Sequence, residues 1–267
     1  MMTVENLGMT FNAGTSDENR ALDGVNLTVT NGEFVTVIGS NGAGKTTLYN
    51  AIAGTYIPTE GRIVIRGIDV TRSPEYKRAR YIGRIFQNPL IGTAGKMSLE
   101  DNMVLCHRKG YKSLKISLNN SLRNYFRERL SELDMGLEHR LSDNVELFSG
   151  GQRQALTLLM AVLSEPDILL LDEHTAALDP RNAEIVMNLT QKFAERYKLT
   201  VMMITHNMQH ALQYGTRLLM MDSGNMVMDV SGNEKSQLTI DAVVQRFRDI
   251  KKRELANDQL LLNTGPL

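Results

Sequence analysis

Apolar residues along this chain fall into two arrangements, unbroken short runs and runs spaced like one face of a helix. ILLL at Ile168 to Leu171 and the apolar centre of LTVMMITH at Leu199 to His206 are unbroken, and FVTVI ending at Ile38 is interrupted only by Thr36. Runs of that length with no polar alternation read as strands covered on both faces, the kind found in parallel sheets. LTVTNGEFVTVIG places two short apolar runs around Asn31-Gly32, which predicts a hairpin there. EGRIVIRGIDV, Glu60 to Val70, adds another strand and a tight turn. KTTLYNAIAG, Lys45 to Gly54, has helical spacing and stops at a glycine. In SLRNYFRERLSEL one helical face carries Leu122, Tyr125, Phe126, the stem of Arg129, Leu130 and Leu133. Helices are predicted from Gln152 to about Ser164 and from Arg181 to Tyr197, alternating with the strands DILLLDE and LTVMMITH. Near the end, Ile240, Val243, Val244, Phe247 and Ile250 recur at helical spacing behind Thr239 as N-cap, a helix expected to pack on its own domain.

The chain therefore has strands and turns in its opening third, a helical stretch of different texture from Gly92 to Leu147, and strand–helix alternation after Gln152. No repeat is visible, and LLLNTGPL at the end carries no pattern. With 267 residues, 42% hydrophobic, 22% charged and six prolines, the chain can bury a core of one generous α/β domain. Lys plus Arg and Asp plus Glu are both 30. Zero net charge argues against a general nucleic-acid or anionic-lipid binder, though not against a local patch. Basic residues do gather at Arg108, Lys109, Lys112, Lys115, Arg123, Arg127 and Arg129. They read as a solvated helix face or as a surface that docks a partner. The single cysteine, Cys106, excludes an internal disulfide, fits a reducing compartment, and reads as a small residue that is buried or on a helix face. MMTVENLGMTF has neither the basic start nor the apolar stretch of a signal peptide, and no apolar run is long enough to span a bilayer. The expectation is a chain soluble on its own. Methionine-rich segments such as MMI and LLMM read as core filling.

The chemistry starts at Gly39-Ser40-Asn41-Gly42-Ala43-Gly44-Lys45-Thr46, followed by Thr47, which matches G-x-x-x-x-G-K-[ST] between a strand and a helix. Glycines there let backbone N–H groups close around phosphate oxygens. Lys45 brings charge to the outer phosphates, and the Thr46 hydroxyl can ligate Mg²⁺. ILLLDE brings two acids to the end of a buried strand, where open α/β folds bind ligands. Asp172 would reach the metal, and Glu173 would face the attacking water as general base. Gln87, in RIFQNP, follows an apolar strand and could orient metal and water. His206, in MITHN, ends a core strand beside the same edge, which favours a functional over a purely structural reading. Asp179, in AALDP, precedes a helix and would also serve as its N-cap. FSGGQ at Phe148 to Gln152 opens a helix with Ser149, Gly150 and Gly151, a second anion site that lacks a lysine.

With these residues in hand, nearly the whole chain resembles the nucleotide-binding subunit of an ATP-binding cassette (ABC) transporter. In that family's terms the phosphate loop is Gly39 to Thr46, the glutamine loop centres on Gln87, and the signature is Phe148 to Gln152. The acidic strand is Ile168 to Glu173, the D-loop is Ala177-Leu178-Asp179, and His206 is the switch histidine. Phe11 falls where the family stacks an aromatic ring on adenine. The resemblance implies a P-loop NTPase fold with a RecA-like parallel-sheet core, an N-terminal antiparallel β subdomain and an inserted α-helical subdomain. The implied boundaries are 1–91 for the β subdomain and first part of the core, 92–164 for the signature subdomain, 165–230 for the rest of the core and 231–267 for a helical tail. It further implies ATP and Mg²⁺ as ligands, and a head-to-tail dimer in which each ATP lies between one copy's phosphate loop and the other's signature. That would explain a second anion site without a lysine. The implied partners are a second ATPase subunit, transmembrane permease subunits and, indirectly, a solute-binding protein, with no nucleic acid. The implied location is the cytoplasmic face of a membrane.

Two positions depart from the family pattern. His174 stands where the family usually has proline, setting a titratable group beside the base and freeing a backbone N–H. Phe148 replaces the commoner leucine. LDEHTAALDP, FQNPLIGTAGKMS and ITHNMQHALQYG resemble an importer branch whose permeases are like those for branched-chain amino acids, often serving amino acids such as tryptophan or tyrosine. Docking is expected near Gln87 and the segment Asn88 to Asn102. An exporter motor of the same architecture stays open, as does a soluble ABC ATPase. The chain shows neither the paired cassettes nor the long coiled-coil insertion typical of soluble members, and every hydrolytic residue is present, which disfavours a non-catalytic module.

Overall fold

The computed structural model describes residues 1–107 and 118–249. Two sheets organise it. The first is antiparallel, ordered β2-β1-β4-β5, and comprises β1 (Met2–Phe11), β2 (Asn19–Val29), β4 (Glu60–Ile65) and β5 (Ile68–Asp69). The second is ordered β10-β9-β3-β8-β7-β6, with β3 (Phe34–Gly39), β6 (Ile82–Ile85), β7 (Ile168–Asp172), β8 (Val201–Ile204), β9 (Arg217–Asp222) and β10 (Asn225–Ser231). All its neighbours run parallel except the β9–β10 hairpin.

The unbroken apolar runs do what their composition implies. On β7, Ile168 and Leu170 face one core and Leu169 and Leu171 face the other; on β8, Met202 and Ile204 divide from Val201 and Met203 in the same way. One core is shared with the antiparallel sheet and α1 (Lys45–Ala53). The other is shared with α3 (Leu99–His107), α4 (Asn120–Ser131), α5 (Gly150–Leu163) and α6 (Pro180–Tyr197). The core methionines Met202, Met203, Met220 and Met221 are buried, as filling. Three short helices, α2 (Glu75–Arg78), α7 (Met208–Gln213) and α8 (Gly232–Ser236), join them.

Asn31-Gly32 does not close a hairpin. β2 pairs with β1 in the antiparallel sheet, whereas β3 lies between β9 and β8 in the other. A tight turn specifies a reversal of the chain but not the neighbour of the next strand. β3 is buried from Phe34 to Ile38 and β2 alternates, so the two strands suit different sheets.

The helical face read in SLRNYFRERLSEL is the one α4 buries, with Phe126, Leu130 and the following Leu133 fully or nearly enclosed. Of the basic cluster, Arg123 makes a two-pronged pair with Glu100 at 2.8 and 3.1 Å, Arg127 bonds Asn124 at 2.9 Å, and Arg129 pairs with Glu132 at 2.7 Å. Those three engage their own chain; Arg108, Lys109, Lys112 and Lys115 lie outside the described residues. Cys106 is half-buried on α3, its thiol directed at the Met103 carbonyl. A helix occupies 240–249, with Thr239 Oγ1 accepting from the Ala242 N–H at 3.2 Å and Val243 buried against β9 and β10. Ile250 and the tail after it lie outside the described residues. Among the described residues, no helix is long and apolar enough to cross a membrane.

Candidate functional site

β3 delivers the chain into the Gly39–Thr47 loop, and α1 leaves from it. Gly39 passes so close to β9 that a Cβ there would sit 2.2 Å from the Met221 carbonyl oxygen, at a φ of 151°. Only glycine allows that approach. Lys45, itself buried, folds its ammonium back onto the loop, donating to the Gly39 and Ser40 carbonyls at 2.8 and 2.9 Å. Burial lowers its pKa, while Glu173 and Asp172 pull the other way. Ser40 Oγ donates to the Asp222 carboxylate at 3.2 Å, tying the loop to the end of β9. Ala43, Gly44, Thr46 and Thr47 join Asn41, Gly42 and Lys45 along one wall of a cleft of about 580 Å³. Phe11, Asn19, Arg20 and Ala21 form a second wall, and Glu173, His206, Ser223 and Gly224 a third.

The acids arrive through register. Asp172 on β7 is paired with Ile204 on β8, so the residues just past each strand end meet. Glu173 leaves the strand with φ 49°, its N–H donating to the Ile204 carbonyl at 3.1 Å, and its Oε1 is in close contact with His206 Nε2. Asp172 is half-buried; burial raises its pKa, opposed by Arg84, whose Nη2 is 4.0 Å away. The fold thus assembles Lys45, Asp172, Glu173 and His206 at one sheet edge.

FSGGQ stands elsewhere. Ser149 caps α5, accepting from the Gln152 N–H at 3.3 Å, and Gln152 Oε1 accepts from the Ser149 N–H at 3.1 Å, a capping box. A Cβ on Gly151 would lie 2.7 Å from Asn182 Cγ, so the glycine lets α5 start against the start of α6. There Asp179 caps α6, accepting from the Asn182 N–H at 3.1 Å and its amide at 2.6 Å, bonds that hold its pKa low. None of Ser149, Gly150, Gly151, Gln152 or Asp179 lines the cleft.

A family model described as ABC transporter matches residues 22–176, which span the phosphate loop, the signature and the acidic strand. The chain belongs to the ABC transporter family. It is 39% identical to a tyrosine transport ATP-binding protein of Clostridioides difficile (strain R20291), over 92% of this chain and 98% of that protein. It is 33% identical to a phosphonates import ATP-binding protein of Haloarcula marismortui, over 95% of this chain and 93% of that one. Its fold is similar to the ATP-binding cassette MJ0796, solved as a dimer in a post-hydrolysis state bound to ADP and Pi, with TM-score 0.71, 27% identity and coverage of 86% and 98%. The chain is an ABC transporter ATP-binding subunit, of a family that hydrolyses ATP.

Against the ABC expectations, Phe11 lines the cleft and packs edge-on to Tyr56, ring centroids 5.4 Å apart. Gln87 is exposed in the loop after β6 and lies outside the cleft lining. His174 is not a group that titrates near neutrality. It is 2% exposed, its Nε2 lies 3.1 Å from Thr190 Oγ1, and its pKa is pulled down to about 3, first by burial and then by His210. Sequence reasoning missed Asn19, Arg20, Ser223 and Gly224, which reach the cleft from the ends of β2 and the β9–β10 turn and carry no motif. It also missed Arg84, a lone cation inside the strand IGRI that would have been visible as such. For Mg²⁺ the cleft offers the Thr46 hydroxyl, with the Asp172 carboxylate at the adjoining strand end. Among the described residues, no three His, Cys, Asp or Glu converge to hold a metal unaided. One carboxylate and one hydroxyl fit a hard cation that keeps waters and arrives on phosphate oxygens.

Proposed function

We propose that this ABC subunit is the ATP-hydrolysing motor of a membrane importer for an amino acid, with tyrosine the first solute to test. The similarity to a tyrosine transport ATP-binding protein over nearly the full length of both chains carries the reading. In it, the Gly39–Thr47 backbone and Lys45 hold the phosphates and Phe11 packs against the base. Thr46 and Asp172 hold Mg²⁺, which supplies charge neutralisation on the phosphates. Glu173, steadied by His206, takes the proton of the attacking water, and Gln87 belongs to the same reaction from its loop. Ser149 to Gln152 and Asp179, away from their own cleft, complete the site of a second copy placed head to tail. ATP then bridges two chains, so its γ-phosphate favours the closed pair and hydrolysis releases it. With no span among its described helices, the motor works from the cytoplasmic face through permease subunits, which a solute-binding protein supplies.

Glu173→Gln should keep ATP binding, lower turnover by about 10²-fold or more, and leave a trapped ATP-bound dimer. Unchanged turnover would remove Glu173 from the reaction. In cells carrying this chain with its permease, uptake of labelled tyrosine should stop in the same variant. Uptake indifferent to the substitution overturns the import reading.

A further inference from the structure

Glu173 presents a mechanical problem. Its backbone sits at φ 49°, which a residue with a Cβ holds only when its surroundings impose it. Its N–H is tied to β8, and the residue after it turns inward. His174 is 2% exposed and Thr190, in the middle of α6, is 1% exposed; the two side chains meet at 3.1 Å. The Thr190 hydroxyl donates its proton to the Val186 carbonyl at 2.8 Å, so its oxygen is left as acceptor. His174 therefore carries its proton on Nε2 and donates it to Thr190 Oγ1. A buried donor and acceptor with so few alternatives define one position for the segment. The same helix holds the opposite side of the site. Two residues before Thr190, Asn188 Oδ1 accepts from the Tyr214 hydroxyl at 3.2 Å, and Tyr214 ends α7, the helix that follows His206.

We infer that His174 is a positioning residue for hydrolysis: its hydrogen bond to Thr190 fixes the backbone of Glu173 to α6, and so fixes where the carboxylate stands relative to His206. The inference rests on the proposed role of Glu173 as base. His174 touches neither nucleotide nor water; it acts through its neighbour.

The test uses the full chain, with steady-state ATP turnover, nucleotide affinity and unfolding midpoint measured together. Thr190→Val removes the acceptor without changing shape. It should lower kcat about 10-fold, less than the 10²-fold that a misplacement of a full ångström can cost. KM for ATP should stay within about twofold, because the phosphate loop is untouched. Thr190→Ser, which keeps the oxygen, should restore kcat. In a Glu173→Gln background Thr190→Val should cost nothing further, since the group it positions is gone. His174→Ala should match Thr190→Val, and if it does not fold the threonine variants decide alone. Thr190→Val with wild-type kcat, a loss carried by KM, or an undiminished loss in the Glu173→Gln background would each overturn the inference. Full turnover in Glu173→Gln alone defeats the base assignment instead, whereas a slow Glu173→Gln beside a wild-type Thr190→Val defeats only the role of His174.

Discussion

Arg78 is 0% exposed, yet among the described residues no carboxylate is hydrogen-bonded to it. Its guanidinium donates to four carbonyls, those of Ala51 at 2.6 Å, Ile52 at 2.8 Å, Thr71 at 2.8 Å and Ser73 at 2.8 Å. Ala51 and Ile52 belong to the last turn of α1, whose carbonyls have no partner within the helix, and a cation there also meets the negative end of its dipole. Burial draws its pKa down to about 10, opposed by Asp69, so it stays charged at neutral pH. Arg78→Met keeps the bulk and removes the donors. At about 1 kcal/mol net for each of the four bonds, the loss is roughly 4 kcal/mol, and relief from burying a cation returns about 1. The expected destabilisation is about 3 kcal/mol. With a urea slope of about 3 kcal/mol/M, the unfolding midpoint should fall by about 1 M. Arg78→Lys keeps the charge but not the planar fork, and should lose about 2 kcal/mol. Urea unfolding of the two variants beside the wild type decides it. A midpoint shift under about 0.3 M for Arg78→Met, equivalent to about 1 kcal/mol at that slope, refutes the claim that this guanidinium holds the end of α1. A lysine variant equal to wild type refutes the importance of the fork.

Lys235 on α8 is buried, donates to the Tyr214 and Gly215 carbonyls, and is pulled down to about 8 by burial. Between pH 8 and 10.5 the unfolded chain binds more protons at this residue than the folded one, so stability should rise with pH across that window. Lys235→Met should remove that rise, and an identical pH slope in the variant would contradict it. Ser149→Ala breaks the capping box and should cost about 1 kcal/mol in unfolding experiments. The same variant should slow ATP turnover while the affinity of the single chain for ATP is kept; equal damage to both would mean that the signature binds nucleotide within its own chain. Gly39→Ala places a methyl 2.2 Å from the Met221 oxygen and should abolish ATP binding in a nucleotide titration. Wild-type affinity there would show that the loop has another way to close.

Parallel strands covered on both faces have no polar side to show, so β3, β7 and β8 were legible as apolar runs without alternation. The phosphate loop and the acidic strand were legible because their chemistry needs particular residue types at consecutive positions. Helix ends were equally local: Gly54, Ser149 and Asp179 cap as their residue types prefer. What depends on residues distant in the chain was not legible. Asn31-Gly32 marked a turn, but which sheet received β3 was decided by the partners that could bury it. Glu173 and His206 were each identifiable as candidates, yet their contact exists because β7 and β8 are neighbours in one register. His174 looked like a charge beside the base until burial against Thr190 made it a neutral anchor, and Arg78 had no pattern at all. Motifs record what a few adjacent residues can do. Burial and long-range partners decide which of those capacities are used, because desolvation and hydrogen bonding act through space rather than along the chain.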